Sequence, residues 1–191
     1  MGSVCGMKII PTEIPGCFEI HPDVHVDERG TFVKTFHEPT FKALGLETHF
    51  SEEYYSISRQ RVLRGLHFQR PPHHHAKLVY CTDGEVLDAV VDLRKTSPTF
   101  GRHATLRLEA KRCNMLYVPP GLAHGFYVPV ASASMVYRVT TVYAAQYDTG
   151  IHWNSAGIAW PDERPIVSAR DSAFLALSDF DSPFDGAFFG E

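Results

Sequence analysis

The stretch KLVYCTDGEVLDAVVDLR, residues 77–94, places apolar and β-branched runs on both sides of an Asp83-Gly84 pair. Runs of this composition are typical of β-strands, and an Asp-Gly pair between two of them favours a tight hairpin turn. We therefore expect two antiparallel strands here, joined at Asp83 and Gly84.

Strand patterns continue along the chain after this stretch. Residues 104–110, ATLRLEA, alternate between apolar and polar side chains, and three more β-like runs follow at residues 115–120, 125–130 and 134–143. Strand after strand with few gaps of helix length predicts an antiparallel, all-β protein. A chain of this size protects its sheet edges best by closing into a β-barrel or a double-sheet jelly roll, and such barrels can enclose one small ligand.

Two segments favour helices, and both are short. Residues 39–46 are stopped by Gly45, and residues 168–177 begin at Ser168, a good N-cap residue. We expect both helices to lie at the periphery of the β-structure.

The composition limits the class of protein. The 191 residues are 44% hydrophobic and 21% charged, without a repeat or a linker, which predicts one domain over residues 1–191. The formal charge of -4 argues against a nucleic-acid binder that depends on counterion release. No apolar run approaches the ~18 residues of a membrane span. Cys5, Cys17, Cys81 and Cys113 lie far apart without a CxxC pair, which favours a reduced, cytoplasmic protein.

Ionisable residues interrupt the apolar strands. Arg64 and His67 flank Gly65 in the run LRGLH, where the glycine permits a β-bulge that turns both side chains to one side. Burial of an unpaired charge is costly, so such residues either decorate the rim of a barrel or line a functional cavity.

Three more polar residues belong to this group. Lys77 opens the next strand, and His124 follows the tight turn PPGLAHG. Tyr137 shares a strand face with Met135 and Val139. Each residue alone has a structural explanation, because most buried polar groups are hydrogen-bonded parts of a core. Considered together, they favour a functional lining.

A metal site is an alternative interpretation of the histidines. PPGLAH, residues 119–124, contains the P-x-G-x-x-H pattern of metal-binding cupin barrels, and His73 with His75 forms an H-x-H pair. With His124 they supply three imidazoles, enough for zinc, iron or manganese. The carboxylate expected shortly after H-x-H is absent, since the next acid is Asp83.

Several motifs together closely resemble one family, the dTDP-4-dehydrorhamnose 3,5-epimerases. They are VLRGLHFQRPP (62–72), AKLVYCTDGEVLDAVVDLRKTSPTFG (76–101), YVPPGLAHGF (117–126), GIHW (150–153) and GIAWP (157–161). The resemblance extends from about residue 14 to the DFDSPF segment. It implies a cupin-like jelly-roll barrel that works as a homodimer without metal or other cofactor. The implied substrate is a nucleoside-diphosphate 4-keto-6-deoxyhexose, inverted at C3 and C5.

The chemistry explains the residue types. A ketone at C4 acidifies the hydrogens on C3 and C5, so inversion needs a base, a group that stabilises the enolate, and an acid on the opposite face. By resemblance, His67 is the base and Asp171 orients its imidazole. Lys77 then stabilises the enolate oxygen, and Tyr137 is the acid.

The resemblance also implies substrate contacts. Arg64 and His124 are expected to line the sugar-diphosphate site, and Arg170 is suited to a phosphate. Arg29, with Phe32 beside it, is expected to reach the nucleotide of the neighbouring subunit. The full set of binding candidates is Arg29, Phe32, Glu52, Tyr54, Arg64, Gln69, His124, Gln146 and Arg170.

Three departures from the family pattern concern recognition and not chemistry. Lys34 replaces an acid in DERGTFVK, Glu52-Glu53-Tyr54 replaces Gln-Asp-Asn, and Gln146 aligns with a family glutamate. CDP or GDP therefore stays open as the nucleotide. Tyr54 is bulkier than asparagine, which leaves inversion at one carbon as an alternative.

The histidines at 73–75 and the N-terminal segment complete the expectations. His73 matches a family histidine, whereas His74 and His75 are interpreted as rim residues near the nucleotide. The strand-like segment DERGTFVKTF, residues 27–36, is suited to extend a neighbour's sheet. A metal-dependent cupin enzyme and a non-catalytic sugar-binding jelly roll remain the alternatives.

Overall fold

A computed structural model of the protein describes residues 6–185, and most of its regular structure is β-strand. Cys5 lies outside the described residues. The strands are β1 (Lys8–Pro11), β2 (Phe18–His21), β3 (Val24–Asp27), β4 (Gly30–Val33), β5 (Glu52–Arg59), β6 (Leu63–Gln69), β7 (Lys77–Asp83), β8 (Glu85–Asp92), β9 (His103–Glu109), β10 (Met115–Val118), β11 (Leu122–Tyr127), β12 (Ser132–Val139) and β13 (Asp148–Gly150). The helices are α1 (Glu38–Ala43) and α2 (Ala169–Ser172), with a 3-10 turn at Leu177–Asp179.

The strands form two large antiparallel sheets and one small one. The larger sheet has the order β1-β2-β10-β7-β12-β5, and the second has the order β13-β6-β11-β8-β9. β3 and β4 pair with each other in a separate two-stranded sheet. The predicted all-β, antiparallel jelly roll with short helices is thereby confirmed.

The two large sheets share one core. Val79 and Met135 from the larger sheet pack in the same apolar cluster as Val90 and Phe126 from the second. Alternate residues of β12 point into this core, and Tyr137 is among them, as its sequence pattern predicts. The space between the sheets is therefore where polar residues require an explanation.

The Asp83-Gly84 pair does not form the predicted hairpin. β7 pairs with β10 and β12, whereas β8 pairs with β9 and β11 in the other sheet. Gly84 has φ +70°, and a Cβ at this position would lie 2.1 Å from the carbonyl oxygen of Ser132. The glycine is needed where the chain crosses closely from one sheet to the other, so the same dipeptide serves a different connection.

The predicted bulge around Gly65 is present. β11 pairs His124 with His67 and Phe126 with Arg64, so β6 has one residue more than β11 between these pairs. Gly65 has φ +126°, and a Cβ there would come within 2.7 Å of the backbone of β11. The bulge allows Arg64 and His67 to face the same cavity.

Both helices are shorter than the sequence predicts. α1 ends at Ala43, before Gly45 with its φ of +70°. Ser168 is the N-cap of α2 as expected, because its Oγ accepts the backbone N–H of Asp171 at 3.0 Å. α2 ends at Ser172 instead of continuing to residue 177. None of the helices between residues 6 and 185 has the length and hydrophobicity that crossing a bilayer requires.

A buried ion pair anchors the connection after β8. Arg94 donates to Asp92 through Nε and Nη2, both at 2.8 Å, and neither side chain is exposed. The second carboxylate oxygen of Asp92 also accepts the hydroxyls of Ser97 and Thr99 at 2.6 Å. These contacts satisfy the carboxylate and hold the loop against the sheet.

Candidate active site

A cavity of ≈ 400 Å³ opens between the two large sheets. Strands β5, β7 and β12 of the larger sheet and β6 and β11 of the second supply its walls. Nine of the predicted site residues line it: Glu52, Tyr54, Arg64, His67, Gln69, Lys77, His124, Tyr137 and Arg170. The other lining residues are Ser56, Phe68, His75, Gly125, Phe126, Val139, Thr141, Tyr143 and Asp148.

His67 and Asp171 form a hydrogen-bonded pair at this cavity. The Nε2 atom of His67 lies 2.8 Å from Oδ1 of Asp171, and Oδ2 of Asp171 accepts the backbone N–H of Gly65 at 3.0 Å. Burial raises the pKa of Asp171, but its hydrogen bonds with His67 and Gly65 outweigh burial and hold the pKa below its ordinary value. The carboxylate is therefore charged and fixed, and it orients an imidazole that is still partly open to the cavity.

Lys77 lies in the wall close to this pair. Its Nζ donates to the backbone oxygen of His67 at 3.1 Å. Burial lowers the pKa of Lys77 to about 8, although Asp148 and Asp88 act in the opposite direction. The ammonium is thus a desolvated cation, and its field is stronger than that of a solvated lysine.

Tyr137 reaches the cavity from the opposite sheet to His67. Its hydroxyl lies 3.3 Å from Oγ of Ser56, and its ring stacks on Tyr54 at 4.9 Å between centroids. Burial raises the pKa of the Tyr137 phenol above its usual value, so the hydroxyl keeps its proton near neutral pH. A ligand between the sheets would have the imidazole on one side and the phenol on the other.

His124 forms a second histidine–carboxylate pair, with Asp88. Its Nε2 lies 2.9 and 3.0 Å from the two carboxylate oxygens, and both side chains are buried. Burial raises the pKa of Asp88, while His124 lowers it. Sequence reasoning missed Asp88, although an acid inside the apolar run EVLDAVVD is a visible signal.

Other charged side chains of the cavity wall form an ion pair or hydrogen bonds within the protein. Arg170 lies 2.7 Å from Asp148, and Nε of Arg64 donates to Oγ of Ser58 at 2.9 Å. Glu52 accepts the backbone N–H of Tyr143 at 2.7 Å.

The segment after β12 supplies a different residue from the one predicted. Gln146 is exposed and is not among the residues that line the cavity, and its part in substrate binding stays a prediction. Asp148, two residues later, lines the cavity because it begins β13 and pairs with Gln69 of β6. A carboxylate at the start of a short strand was the signal that could have identified it.

Gln69 is buried, and its amide holds the surrounding loops. Its Nε2 donates to the backbone oxygen of His73 at 2.9 Å, and its Oε1 accepts the N–H of Ala144 at 2.6 Å. Gln69 lines the cavity, but these polar atoms are already hydrogen-bonded within the protein.

The histidines at 73–75 point in different directions. His75 lines the cavity, with Nδ1 3.2 Å from Oγ1 of Thr141, and burial lowers its pKa to about 3. His74 is not part of the lining, and its ring lies 6.4 Å from that of Phe184 between centroids. His73 packs against Tyr147, with the ring centroids 4.5 Å apart.

A metal centre would require three of these side chains to converge. Between residues 6 and 185 no three His, Cys, Asp or Glu side chains are grouped as metal ligands. His73, His75 and His124 contact three different partners, Tyr147, Thr141 and Asp88.

Arg29 and Phe32 lie on the separate β3–β4 hairpin. Neither lines the cavity of its own chain. Arg29 pairs with Asp27, with Nε 3.1 Å from a carboxylate oxygen, and 61% of Phe32 is exposed.

Comparison with known proteins gives a consistent result. The family model described as dTDP-4-dehydrorhamnose 3,5-epimerase matches residues 11–179. The dTDP-4-dehydrorhamnose 3,5-epimerase of Shigella flexneri is 41% identical over 168 residues, which are 86% of this chain and 93% of the relative.

Two solved structures extend the comparison. The dTDP-6-deoxy-D-glucose-3,5-epimerase RmlC of Legionella pneumophila, in complex with dTDP-4-keto-L-rhamnose, has a TM-score of 0.90 and 34% identity, covering 97% of this chain and 100% of that one. ChmJ, a 3'-monoepimerase of Streptomyces bikiniensis in complex with dTDP-quinovose, has a TM-score of 0.83 and 32% identity, covering 88% and 87%. The motifs, the jelly roll and these matches agree, and this chain belongs to the dTDP-4-dehydrorhamnose 3,5-epimerase family.

Proposed function

We propose that this chain inverts C3 and C5 of a dTDP-4-keto-6-deoxyhexose by removing a proton on one face of the sugar and returning one on the other. The observation that carries this proposal is the placement of His67 and Tyr137 on opposite sheets across one cavity. Inversion needs a base and an acid on opposite faces of the same carbon.

His67 acts as the base. One ring nitrogen is held by Asp171 at 2.8 Å, which leaves the other nitrogen for the substrate. As the imidazole takes the proton, the charged carboxylate of Asp171 stabilises the imidazolium that forms.

Lys77 stabilises the enolate. When the C3 or C5 proton leaves, the electron pair moves onto the C4 oxygen. A buried ammonium strongly stabilises this negative charge. Because the acidity comes from the ketone of the substrate, the reaction requires neither a metal nor an organic cofactor.

Tyr137 acts as the acid. Its phenol is buried and keeps its proton near neutral pH, so it can donate to the enolate carbon from the face opposite His67. Arg64 and Arg170 provide positive charge at the cavity wall for the diphosphate.

The choice of dTDP follows the names of the family and of the relatives. Glu52 and Tyr54 line the cavity and differ from the Gln and Asn of the family pattern. CDP and GDP are therefore the alternative nucleotides to test. Inversion at C3 alone is a second candidate, because Tyr54 stacks on Tyr137 and a 3'-monoepimerase is among the similar structures.

Proton exchange in deuterated water tests the reaction. The 4-keto-6-deoxyhexoses of dTDP, CDP and GDP are each incubated with the protein, and deuterium at C3 and C5 is measured by NMR. We expect rapid exchange with the dTDP sugar. Absence of exchange with all three would refute the proposed function, and a strong preference for CDP or GDP would refute the nucleotide.

We also propose a homodimer in the cytoplasm. The β3–β4 hairpin exposes apolar side chains, including 73% of Val26 and 61% of Phe32, which suits a contact with a second copy. Arg29 of one copy would then reach the cavity of the other. The free cysteines Cys17, Cys81 and Cys113 fit a reducing compartment. Sedimentation of the chain and of an Arg29→Ala variant shows whether each assembles as a dimer. A measurement of dTDP binding by both then shows whether the variant has lost nucleotide affinity.

A further inference from the structure

Tyr54 and Tyr137 face each other across two paired strands. They are direct cross-strand partners in β5 and β12, and their rings are 4.9 Å apart and 18° from parallel. Aromatic pairs at such positions hold each other's rotamers as well as covering apolar surface.

The stack with Tyr54 adds to two other contacts of the Tyr137 side chain. Oγ of Ser56 lies 3.3 Å from the Tyr137 hydroxyl, and the rings of His124 and Tyr137 meet in a T-shaped arrangement with their centroids 6.3 Å apart. With Tyr54 covering one ring face, the phenol cannot swing along the cavity without breaking the stack.

We propose that Tyr54 is a positioning residue that fixes the Tyr137 hydroxyl and thereby sets how often each carbon of the sugar is inverted. This inference rests on the proposed roles of His67 and Tyr137. It assigns to Tyr54 a part in the outcome of the reaction instead of a contact with the nucleotide.

The chemistry gives the enolate two outcomes. In the first, the Tyr137 O–H bond breaks and its proton forms a C–H bond on the opposite face, which inverts the carbon and leaves a phenolate and an imidazolium. Proton transfer through solvent restores both groups. In the second, His67 returns a proton, exchanged with solvent, to the original face, so the carbon gains deuterium without inversion.

The position of the Tyr137 hydroxyl affects only the first outcome. A base that still works and an acid that is displaced give exchange without inversion. C3 and C5 lie on either side of the ketone, so a displaced phenol changes its distance to the two carbons unequally. The ratio of exchange to inversion, measured separately at C3 and C5, therefore reports on the position of Tyr137.

Substitution of Tyr54 tests the role of the stack. The dTDP-4-keto-6-deoxyhexose is incubated in deuterated water, and deuterium content and configuration are read by NMR at both carbons. We expect Tyr54→Asn to raise the ratio of exchange to inversion by roughly 5- to 100-fold at one carbon or both, because small misplacements of a reacting group have effects of this size. Tyr54→Phe keeps the ring, so its ratio of exchange to inversion should rise much less than that of Tyr54→Asn.

Tyr55→Asn is the matched control. It makes the same change on the same strand at the next position, where the side chain is 71% exposed and outside the cavity. We expect its ratio to equal that of the unmodified protein. Tyr54→Leu is a second variant without an aromatic ring, in case Tyr54→Asn does not fold.

The outcomes separate this inference from the proposed function. No exchange in the unmodified protein would remove the proposed function, and this inference with it. If the unmodified protein inverts the sugar and Tyr54→Asn or Tyr54→Leu has the same ratio at both carbons, the inference is wrong and the function stands. An equal rise in Tyr54→Phe would also overturn it, because the hydroxyl and not the stack would then be responsible.

Discussion

The imidazole of His67 lies 2.8 Å from the carboxylate of Asp171, although 104 positions separate the two residues in the chain. Two local features bring them together. The bulge at Gly65 turns His67 toward the cavity, and the N-cap of α2 fixes Asp171 through its own backbone N–H. The Gly65 N–H holds the second carboxylate oxygen, so the strand that carries His67 also anchors Asp171.

Asp171→Asn should impair catalysis more than binding. The amide cannot stabilise a positive imidazolium, so we expect kcat to fall by roughly 10²-fold or more while KM changes little. Steady-state kinetics on the dTDP sugar measures both constants. Asp179→Asn, at an exposed position, is the control and should be neutral. Unchanged kcat in Asp171→Asn would show that the carboxylate has no part in the reaction.

Lys77 should give the pH profile an alkaline limb. Burial holds its pKa at about 8, so the ammonium is present below this pH and is lost as the pH rises through it. We expect kcat/KM to decline above about pH 8, since the enolate then loses its cation. Lys77→Met should lower kcat/KM by roughly 10²-fold. A profile that stays flat to pH 10 in the unmodified protein would contradict this role.

Because Lys77 is buried, it should lower the free energy of unfolding. Between its folded pKa of about 8 and its ordinary 10.5, the unfolded chain binds the proton and the folded chain does not, so stability rises with pH across this interval. Below pH 8, Lys77→Met should raise the free energy of unfolding by about 1 to 3 kcal/mol. Urea unfolding at pH 7 measures the gain. The exposed Lys42→Met is the control, with an expected change within about 0.5 kcal/mol.

The predictions from sequence were correct where a residue type, in its local context, fits one structural role. Gly65 between Arg64 and His67 predicted a bulge, and the bulge is present because the backbone of β11 leaves no space for a Cβ. Alternation along β12 placed Tyr137 in the core face correctly. The motif match supplied the pairing of His67 with Asp171, which no local pattern contains.

The predictions were less informative where the same local sequence pattern occurs in several kinds of connection. Asp83-Gly84 suits a hairpin, but the positive φ of Gly84 serves a crossing between sheets, and only the pairing of β7 and β8 with other strands decides this. Gln146 was chosen by position along the motif, whereas Asp148 reaches the cavity because of its pairing with β6. Both cases depend on contacts between strands that are distant in sequence.

Gly84→Ala should destabilise the chain more than Gly45→Ala. Both glycines have φ +70°, so alanine is strained at either position by roughly 1 kcal/mol. At Gly84 the new Cβ would also meet the Ser132 carbonyl. At Gly45, apart from its chain neighbours, no heavy atom of residues 6–185 would lie within 4 Å of the new Cβ. We expect an additional loss of about 1 to 3 kcal/mol for Gly84→Ala. Equal urea midpoints for the two variants would show that the crossing has room for a side chain.

The buried pair of Asp92 and Arg94 should contribute far more to stability than an exposed pair. Arg94→Ala leaves the Asp92 carboxylate buried without its cation, which we expect to cost about 3 to 5 kcal/mol of unfolding free energy. Arg107 donates to Glu85 at 3.0 Å on the surface, so Arg107→Ala is the control, with an expected loss below about 1 kcal/mol. Urea unfolding at pH 7 compares the two variants. Similar losses would mean that solvent reaches Asp92 once the arginine is removed, and that the hydroxyls of Ser97 and Thr99 suffice to hold its charge.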